Sequence, residues 1–414
     1  QYLSMCLPNE KFFRLDRRWN NTFATDDFWV FAEKSYILHI NGIKEGERQG
    51  QRHRIMSSFL PKSRDIKVNT VLFEGFNTHR SGWSYATSKL KEEYHSPNGI
   101  IVDDFIERSH SWQYEHYRKQ GLIPYKHDWV GFLHNPLMIP SWFYGEHSPM
   151  KIFERPAGME SLKRCKGLFT LSEFNAKVVR TYFEHMFDFP VFSLKLPSEM
   201  PDQKWNPQAF LDSERSIVLL GYWLRKITSF CLLKTNYKKI WLRGVRESAD
   251  ICWHREKSAI QRLNCSQDFP IKDFIDHFGW GIYNEQQEFQ ETQNLNKPFD
   301  NLEMPDHLPN DEFDKLLSSS IVFLNFYDTV ANNAVVDCIA RNTPMVICKH
   351  PSVVEYLGED YPCYFKTKEQ AEEIIHDDDL ILAAHEYLKG LDKDWLSADY
   401  FAEDFMRKLK CLYL

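Results

Sequence analysis

The sequence predicts an α/β protein made of two Rossmann-like, doubly wound parallel sheets facing a cleft. Three observations predict it. Short apolar runs alternate with amphipathic helical stretches along most of the 414 residues. The alternation continues on both sides of a polar, proline-rich stretch, PSEMPDQKWNPQAFLDSE at 196–213. No repeat of solenoid length and no low-complexity tract interrupts it.

The elements follow in order. IKVNTVLF (66–73) reads as the first clear strand, and the loop EGFNTHRSGW leads from it into a helix through SYATSKLKEEY. NGIIVDDF (98–105) is the next strand, with a helix near 109–119. DWVGFLH (128–134) is a third, stopped by Asn135-Pro136. GLFTLS (167–172) runs into the helix EFNAKVVRTYFEHMF, with Ser172 as the expected N-cap. FPVFSLKLP closes this half. Beyond the expected linker come SIVLLGYW (216–223), KKIWLRGV (239–245), SSIVFLNFYD (319–328), PMVICK (344–349) and YPCYF (361–365), with helices between them. Residues 370–414 are helical in pattern. The expected domains are therefore 1–195 on the acceptor side and 214–390 on the nucleotide side. A last helix over 391–414 is expected to return to the first domain.

Composition narrows the function. With 43% hydrophobic and 26% charged residues the chain is globular, and its net charge of -7 argues against a dedicated nucleic-acid binder. Nine cysteines, none in a CxxC pair, read as reduced thiols of a cytoplasmic protein. No apolar segment is long enough to span a bilayer. Because the chain begins at Gln1, it is expected to be a piece of a longer polypeptide.

The most informative stretch is NFYDTVANNAVVDCIARNTP. Ala331, Ala334, Val335, Cys338 and Ile339 recur at buried-helix spacing directly after an apolar strand. In a parallel sheet such a helix start lies where ligands bind, and its free N–H groups attract phosphate. Asn332 and Asn333 mark that first turn, and Asp337 lies one turn below, at the height of a ribose. A plainer reading keeps even ground: Asn332 a cap only, and Asp337 with Arg341 an i, i+4 pair on a solvated face. Further on, Lys349, His350 and Glu355 come to the same sheet edge. Ser352-Val353-Val354-Glu355 matches a capping box in which Glu355 reaches back to Ser352.

YDTVANNAVVDCIARNTPMVICKHPSVVEYLGEDYP resembles the donor region of GT-B glycosyltransferases similar to glycosyltransferase family 4. The resemblance is tight over roughly 320–365 and architectural elsewhere. It implies that Asp337 holds the ribose of a nucleotide. The family's first acid is unmatched here, its place taken by Thr329 with Asp328 one residue away. The resemblance also implies that the loop after SIVLLGYW, with Tyr222, Arg225 and Lys226, meets a donor diphosphate. On the acceptor side it implies a role for His134, whose plainer reading is a satisfied histidine in an Asn-Pro turn. Asp104 and Glu74 are the other candidate bases, and His79, Ser81, Gly82 and Trp83 the candidate acceptor contacts, with Trp83 stacking on a sugar.

The expected activity is transfer from a nucleoside-diphosphate sugar of UDP or GDP type to a hydroxyl of a glycan or glycoprotein. No metal or other cofactor is expected. Asp392-Lys393-Asp394 has a metal-binding DxD pattern but lies in a helical stretch remote from any strand end. The resemblance to glycosyltransferase family 4 implies retention of anomeric configuration; inversion would need Asp104, His134 or Glu74 as base. A nucleotide-sugar epimerase, a phosphorylase and a non-catalytic sugar-binding subunit are the rival expectations.

Overall fold

The computed structural model describes residues 66–73, 82–261, 302–305 and 308–412. Contacts divide the chain into two units. Lys67–Phe405 carries both sheets, and Gln1–Ile66 groups with Met406–Leu414.

The first sheet has five parallel strands in the order β1-β2-β3-β4-β5: Val68–Asn69, Ile100–Asp103, Trp129–Leu133, Cys165–Thr170 and Val191–Ser193. Every residue of β3 is buried, as a parallel strand covered on both faces requires. Side chains alternate between those faces. Trp129 and Leu133 join Ile106, Leu168 and Val179 in one core cluster. Phe132 points the other way and meets Phe169 at 5.3 Å and Phe405 at 5.3 Å. Helices α1 (Trp83–Glu93) and α2 (Glu173–Phe183) flank this sheet, and α2 is capped as expected by Ser172, whose Oγ accepts the Asn175 N–H.

The second sheet has six parallel strands in the order β11-β10-β9-β6-β7-β8. In chain order these are β6 Ser216–Leu220, β7 Lys238–Leu242, β8 Leu302–Glu303, β9 Ile321–Leu324, β10 Met345–Cys348 and β11 Tyr364–Phe365. The chain runs outward from β6 through β7 to β8, then returns to the other side of β6 with β9. The β6–β9 boundary is thus a topological switch point, where the loops leaving two neighbouring strands diverge and open a crevice. Helix α3 (Arg246–Gln261) follows β7, α4 (Asn333–Arg341) follows β9, and α5 (Pro351–Leu357) follows β10. Helix α4 stops where Asn342 adopts a left-handed conformation, φ 59°, which asparagine tolerates, before Thr343-Pro344 starts the next strand.

Residues 203–206, expected in a linker, are fastened to the second sheet instead. The Trp205 N–H donates to the Arg341 carbonyl and its indole Nε1–H to the Ser320 carbonyl, and the Asn206 N–H donates to the Ser318 carbonyl. The last helix, α6 (Ala398–Cys411), lays Phe401 edge-on against Trp83 at 5.6 Å, on the first sheet.

Candidate functional site

At the switch point β6 ends and the chain turns sharply. Gly221 (φ 75°) and Leu224 (φ 52°) both take left-handed backbone there. The turn brings Arg225 back beneath its own strand end. Its Nε–H donates to the Leu220 carbonyl, one Nη1–H to the Trp223 carbonyl, and one Nη2–H to Asn332 Oδ1 at 2.7 Å. Asn332 is the N-cap of α4, and the same Oδ1 accepts the Ala334 N–H at 3.0 Å. Two sequence-predicted donor elements, 107 residues apart, therefore share one oxygen atom. Burial pulls the Arg225 guanidinium down to about 9. Among the described residues no carboxylate forms an ion pair with it. Arg225 is thus a partly buried cation at the positive end of a helix, satisfied by neutral acceptors only. Lys226 anchors its N–H on the Asn325 carbonyl and lies with Nζ 5.7 Å from the Tyr327 ring. Tyr222 packs beside Trp223, Leu224 and Tyr327, while Asn333 is exposed in the first turn of α4.

The neighbouring loops are tied more tightly than the sequence predicts. Asp328 is buried, and its Oδ1 accepts both the Thr329 N–H at 2.7 Å and His350 Nε2–H at 3.0 Å. His350 Nδ1 accepts the Ser352 N–H, so this nitrogen is unprotonated and Nε2 carries the hydrogen. Both ring nitrogens of His350 are thereby spent on the loops, and the Thr329 hydroxyl turns to the Ala331 carbonyl at 3.4 Å. Lys349 reaches outward to Glu359 at 2.8 Å. Asp337 is partly buried, and Arg341 Nη1 donates to its Oδ1 at 3.3 Å. The pair is not on a solvated face: Arg341 is 1% exposed and bound chiefly to Asp314, at 2.6 Å.

The capping box does not form. His350 caps α5, and Glu355 reaches away from its own helix. Its two oxygens accept the Glu173 and Phe174 N–H groups, each at 2.6 Å, at the start of α2 on the first sheet. The local pattern loses because a carboxylate gains more from a foreign helix N-terminus, where two N–H groups converge, than from one N–H on its own turn. Beside it Ser172 Oγ and Ser352 Oγ share a hydrogen bond of 3.0 Å. The Tyr356 hydroxyl donates to the Leu171 carbonyl and accepts the Leu196 N–H.

On the first sheet, the turns after β2 and β3 hold a buried polar cluster. Asp104 is fully buried and accepts from Trp83 Nε1–H at 3.0 Å and Arg108 Nη2–H at 2.6 Å. Burial lifts its carboxyl to about 7 against the pull of Arg108, but the same burial, at 0% exposure, keeps Asp104 out of reach of an acceptor hydroxyl. Trp83 is buried, edge-on to His134 at 4.4 Å, with no open face for a sugar; Gly82 is its helix N-cap. His134 donates Nε2–H to the Asp104 carbonyl at 2.9 Å and stacks on Phe105 at 3.9 Å. Burial holds its imidazole near 4, so it is neutral at physiological pH. Glu74, His79 and Ser81 lie outside the described residues.

Across from His134, the Trp223 indole Nε1–H donates to Asn135 Oδ1 at 3.0 Å, joining the β6 turn to the β3 turn. Tyr144 stacks on Trp223 at 5.6 Å, and Arg255 lies 4.1 Å from the Tyr144 ring. Of Asn135, Trp223, Glu173 and Glu107, only Asn135 carries a signal in the sequence, as half of the strand-stopping Asn135-Pro136 pair.

No family model matches the chain, and no curated protein matches it. Among solved structures it is similar to the trehalose-6-phosphate synthase OtsA, with 12% identity, coverage of 78% of this chain and 74% of that one, and a TM-score of 0.47. It is likewise similar to a sucrose-phosphate synthase from Thermosynechococcus elongatus (9% identity, 79% and 76% coverage, TM-score 0.48). TarM follows at 12% identity, 76% and 54% coverage and a TM-score of 0.44. The architecture given above rests on the strand pairing of this chain itself.

Proposed function

We propose that this chain is a GT-B-type glycosyltransferase that moves a sugar from a nucleoside-diphosphate sugar to a hydroxyl of a glycan or glycoconjugate. The observation that carries the reading is Arg225: a partly buried guanidinium without an acidic partner among the described residues, bonded to the N-cap of α4 at the switch point. Burying a charge without a counter-ion is costly, and a site that keeps one is built for an anion that arrives from outside. A diphosphate fits, because the N-terminus of α4 sets a positive dipole end beside Arg225. Lys226, next along the chain, would add a second cation.

In the reaction the bond from the anomeric carbon to the diphosphate oxygen breaks, and its electron pair leaves with the nucleoside diphosphate. The acceptor oxygen bonds to the anomeric carbon and gives up its proton. Arg225 and the α4 N-terminus stabilise the charge that builds on the departing diphosphate, the role a metal fills in other transferases. Retention, with the departing phosphate oxygen taking the proton, is the reading we favour, because neither candidate base among the described residues is free to act. Asp104 is buried out of reach of an acceptor, and His134 spends Nε2–H on a backbone carbonyl. Asp337 would meet the ribose only by loosening its contact with Arg341, which Asp314 is placed to hold in its stead.

The test is thermal unfolding with UDP, GDP, dTDP and CMP. One nucleotide at about a hundred times its Kd should stabilise the wild type by about 2.7 kcal/mol. Arg225→Gln should lose most of that gain. If none of the four moves the midpoint, the donor site is wrong. Incubation with the matching nucleotide sugar and no acceptor then separates slow hydrolysis, expected of a transferase, from rearranged sugar, which would mean an epimerase.

A further inference from the structure

A buried acid on α3, the helix after β7, grips both loops that meet at the switch point. Those loops lie side by side. The Tyr327 N–H donates to the Leu224 carbonyl and the Lys226 N–H to the Asn325 carbonyl, each at 2.9 Å, and Arg225 and Phe326 form a lone antiparallel bridge. So short a pairing is marginal by itself. Glu256, 1% exposed, holds a group on each side of it. Its Oε2 accepts the Thr228 N–H at 3.1 Å, in the short helix Ile227–Cys231 that Lys226 leads into. Its Oε1 accepts the Tyr327 hydroxyl at 2.8 Å. Both partners donate, as an ionised carboxylate requires. The Tyr327 ring fixed in this way is the one that lies 5.7 Å from Lys226 Nζ.

We infer that Glu256 is a positioning residue of the donor site: it fixes the Tyr327 ring and the backbone that follows Lys226, and so sets where that second cation meets a diphosphate. Arg225 is oriented by other means. Its guanidinium is tied to the Leu220 and Trp223 carbonyls and to Asn332, and it lies 4.8 Å from the Phe326 ring. Lys226 is only partly buried, and a lysine stem is flexible, with a strongly hydrated ammonium at its end. An aromatic ring held near that ammonium attracts it and narrows the volume it visits. The hydroxyl is the handle by which the ring is held. Tyr327 is 1% exposed, packs edge-on against Trp142 at 5.0 Å, and turns its oxygen to Glu256. A cation set in place beforehand stabilises the charge on a departing diphosphate without reorganising at the moment of reaction. Glu256 serves that end through Tyr327 and Thr228.

The ligand arm of the test rests on the donor-site reading. Its readout is calorimetric binding to the full chain of UDP, GDP and dTDP, each against its own monophosphate. In the wild type the favoured diphosphate should bind about tenfold or more tighter than its monophosphate. Tyr327→Phe keeps the ring and removes its hydrogen bond to Glu256. It should narrow that ratio to about threefold or less, with monophosphate binding held within about twofold. Glu256→Ala should narrow the ratio as far. Glu256→Gln, whose amide can accept from Thr228 and donate to the Tyr327 oxygen, should restore most of it. An unchanged ratio in Tyr327→Phe overturns the proposal. So do equal losses for both nucleotides, which a merely structural role would give, and a wild type that binds the diphosphate no tighter than the monophosphate. The second readout is hydrogen exchange at the Lys226 amide, which donates to Asn325. Its protection should fall about tenfold in Glu256→Ala if the acid holds the loop, and unchanged protection overturns the positioning role. If the wild type binds none of the nucleotides, the donor-site reading fails, while amide exchange still decides whether Glu256 fixes the loop.

Discussion

Replacing Glu355 by alanine removes the carboxylate that fastens α5 of the second sheet to the start of α2 on the first. Two N–H groups lose a partner, each held at 2.6 Å. Hydrogen bonds to a charged group contribute about 1.5–3 kcal/mol each, so the gross loss is about 3–6 kcal/mol. Two terms reduce it. The carboxyl is held above its ordinary range chiefly by burial, so desolvation already offsets part of the gain. The N–H groups it leaves lie at a partly exposed helix end, where water can replace it. A net loss of about 2 kcal/mol is expected, equivalent to roughly 30-fold in a local equilibrium. Hydrogen exchange at Glu173 and Phe174 reads this directly, without assuming two-state unfolding in a chain of this size. Protection of those two amides should fall by about that factor, while the Asn175 amide, which donates to Ser172 Oγ, keeps most of its own. A change of less than about threefold at Glu173 and Phe174 would refute the reasoning.

Asp314→Asn strips the acid from the fully buried Arg341, and breaking such a pair costs about 3–5 kcal/mol; urea unfolding should show it, and a loss under about 1 kcal/mol would mean that Asp337 suffices alone. His134 should give a flat imidazole resonance from pH 8 down to about 5, because its folded pKa lies near 4 against an ordinary 6.5. The neutral ring is the folded form, so its contribution to stability is present above about 6.5 and lost as pH falls toward about 4; a midpoint near 6.5 in the folded protein would contradict the burial described here.

Much of the architecture was legible because parallel strands, buried on both faces, are written as unbroken apolar runs. WVGFL, SIVLL, IVFL and MVIC are such runs, and each is a wholly buried strand. The cap at Asn332 was legible for a similar reason: a small polar residue directly before a helical stripe has few other uses. What the sequence hid was tertiary. Ser352 and Glu355 satisfy a local rule, yet Glu355 binds a helix 182 residues away, and nothing in the spacing indicates it. Trp83 stands in a glycine-containing polar loop and reads as exposed, but its indole is drawn inward by Asp104. Glu107 is an acid in a polar run, and its importance comes only from the two N–H groups that β3 presents to it.

The Tyr356 hydroxyl, bonded on one side to Leu171 and on the other to Leu196, stitches the second sheet to the first at points both before and after β5. Trp205 and Asn206 are sewn to the second sheet in turn. The peptide between 196 and 205 is consequently redundant as a tether. A single nick there should leave the two halves migrating as one particle, and only the loss of side-chain bonds on either flank would let them drift apart.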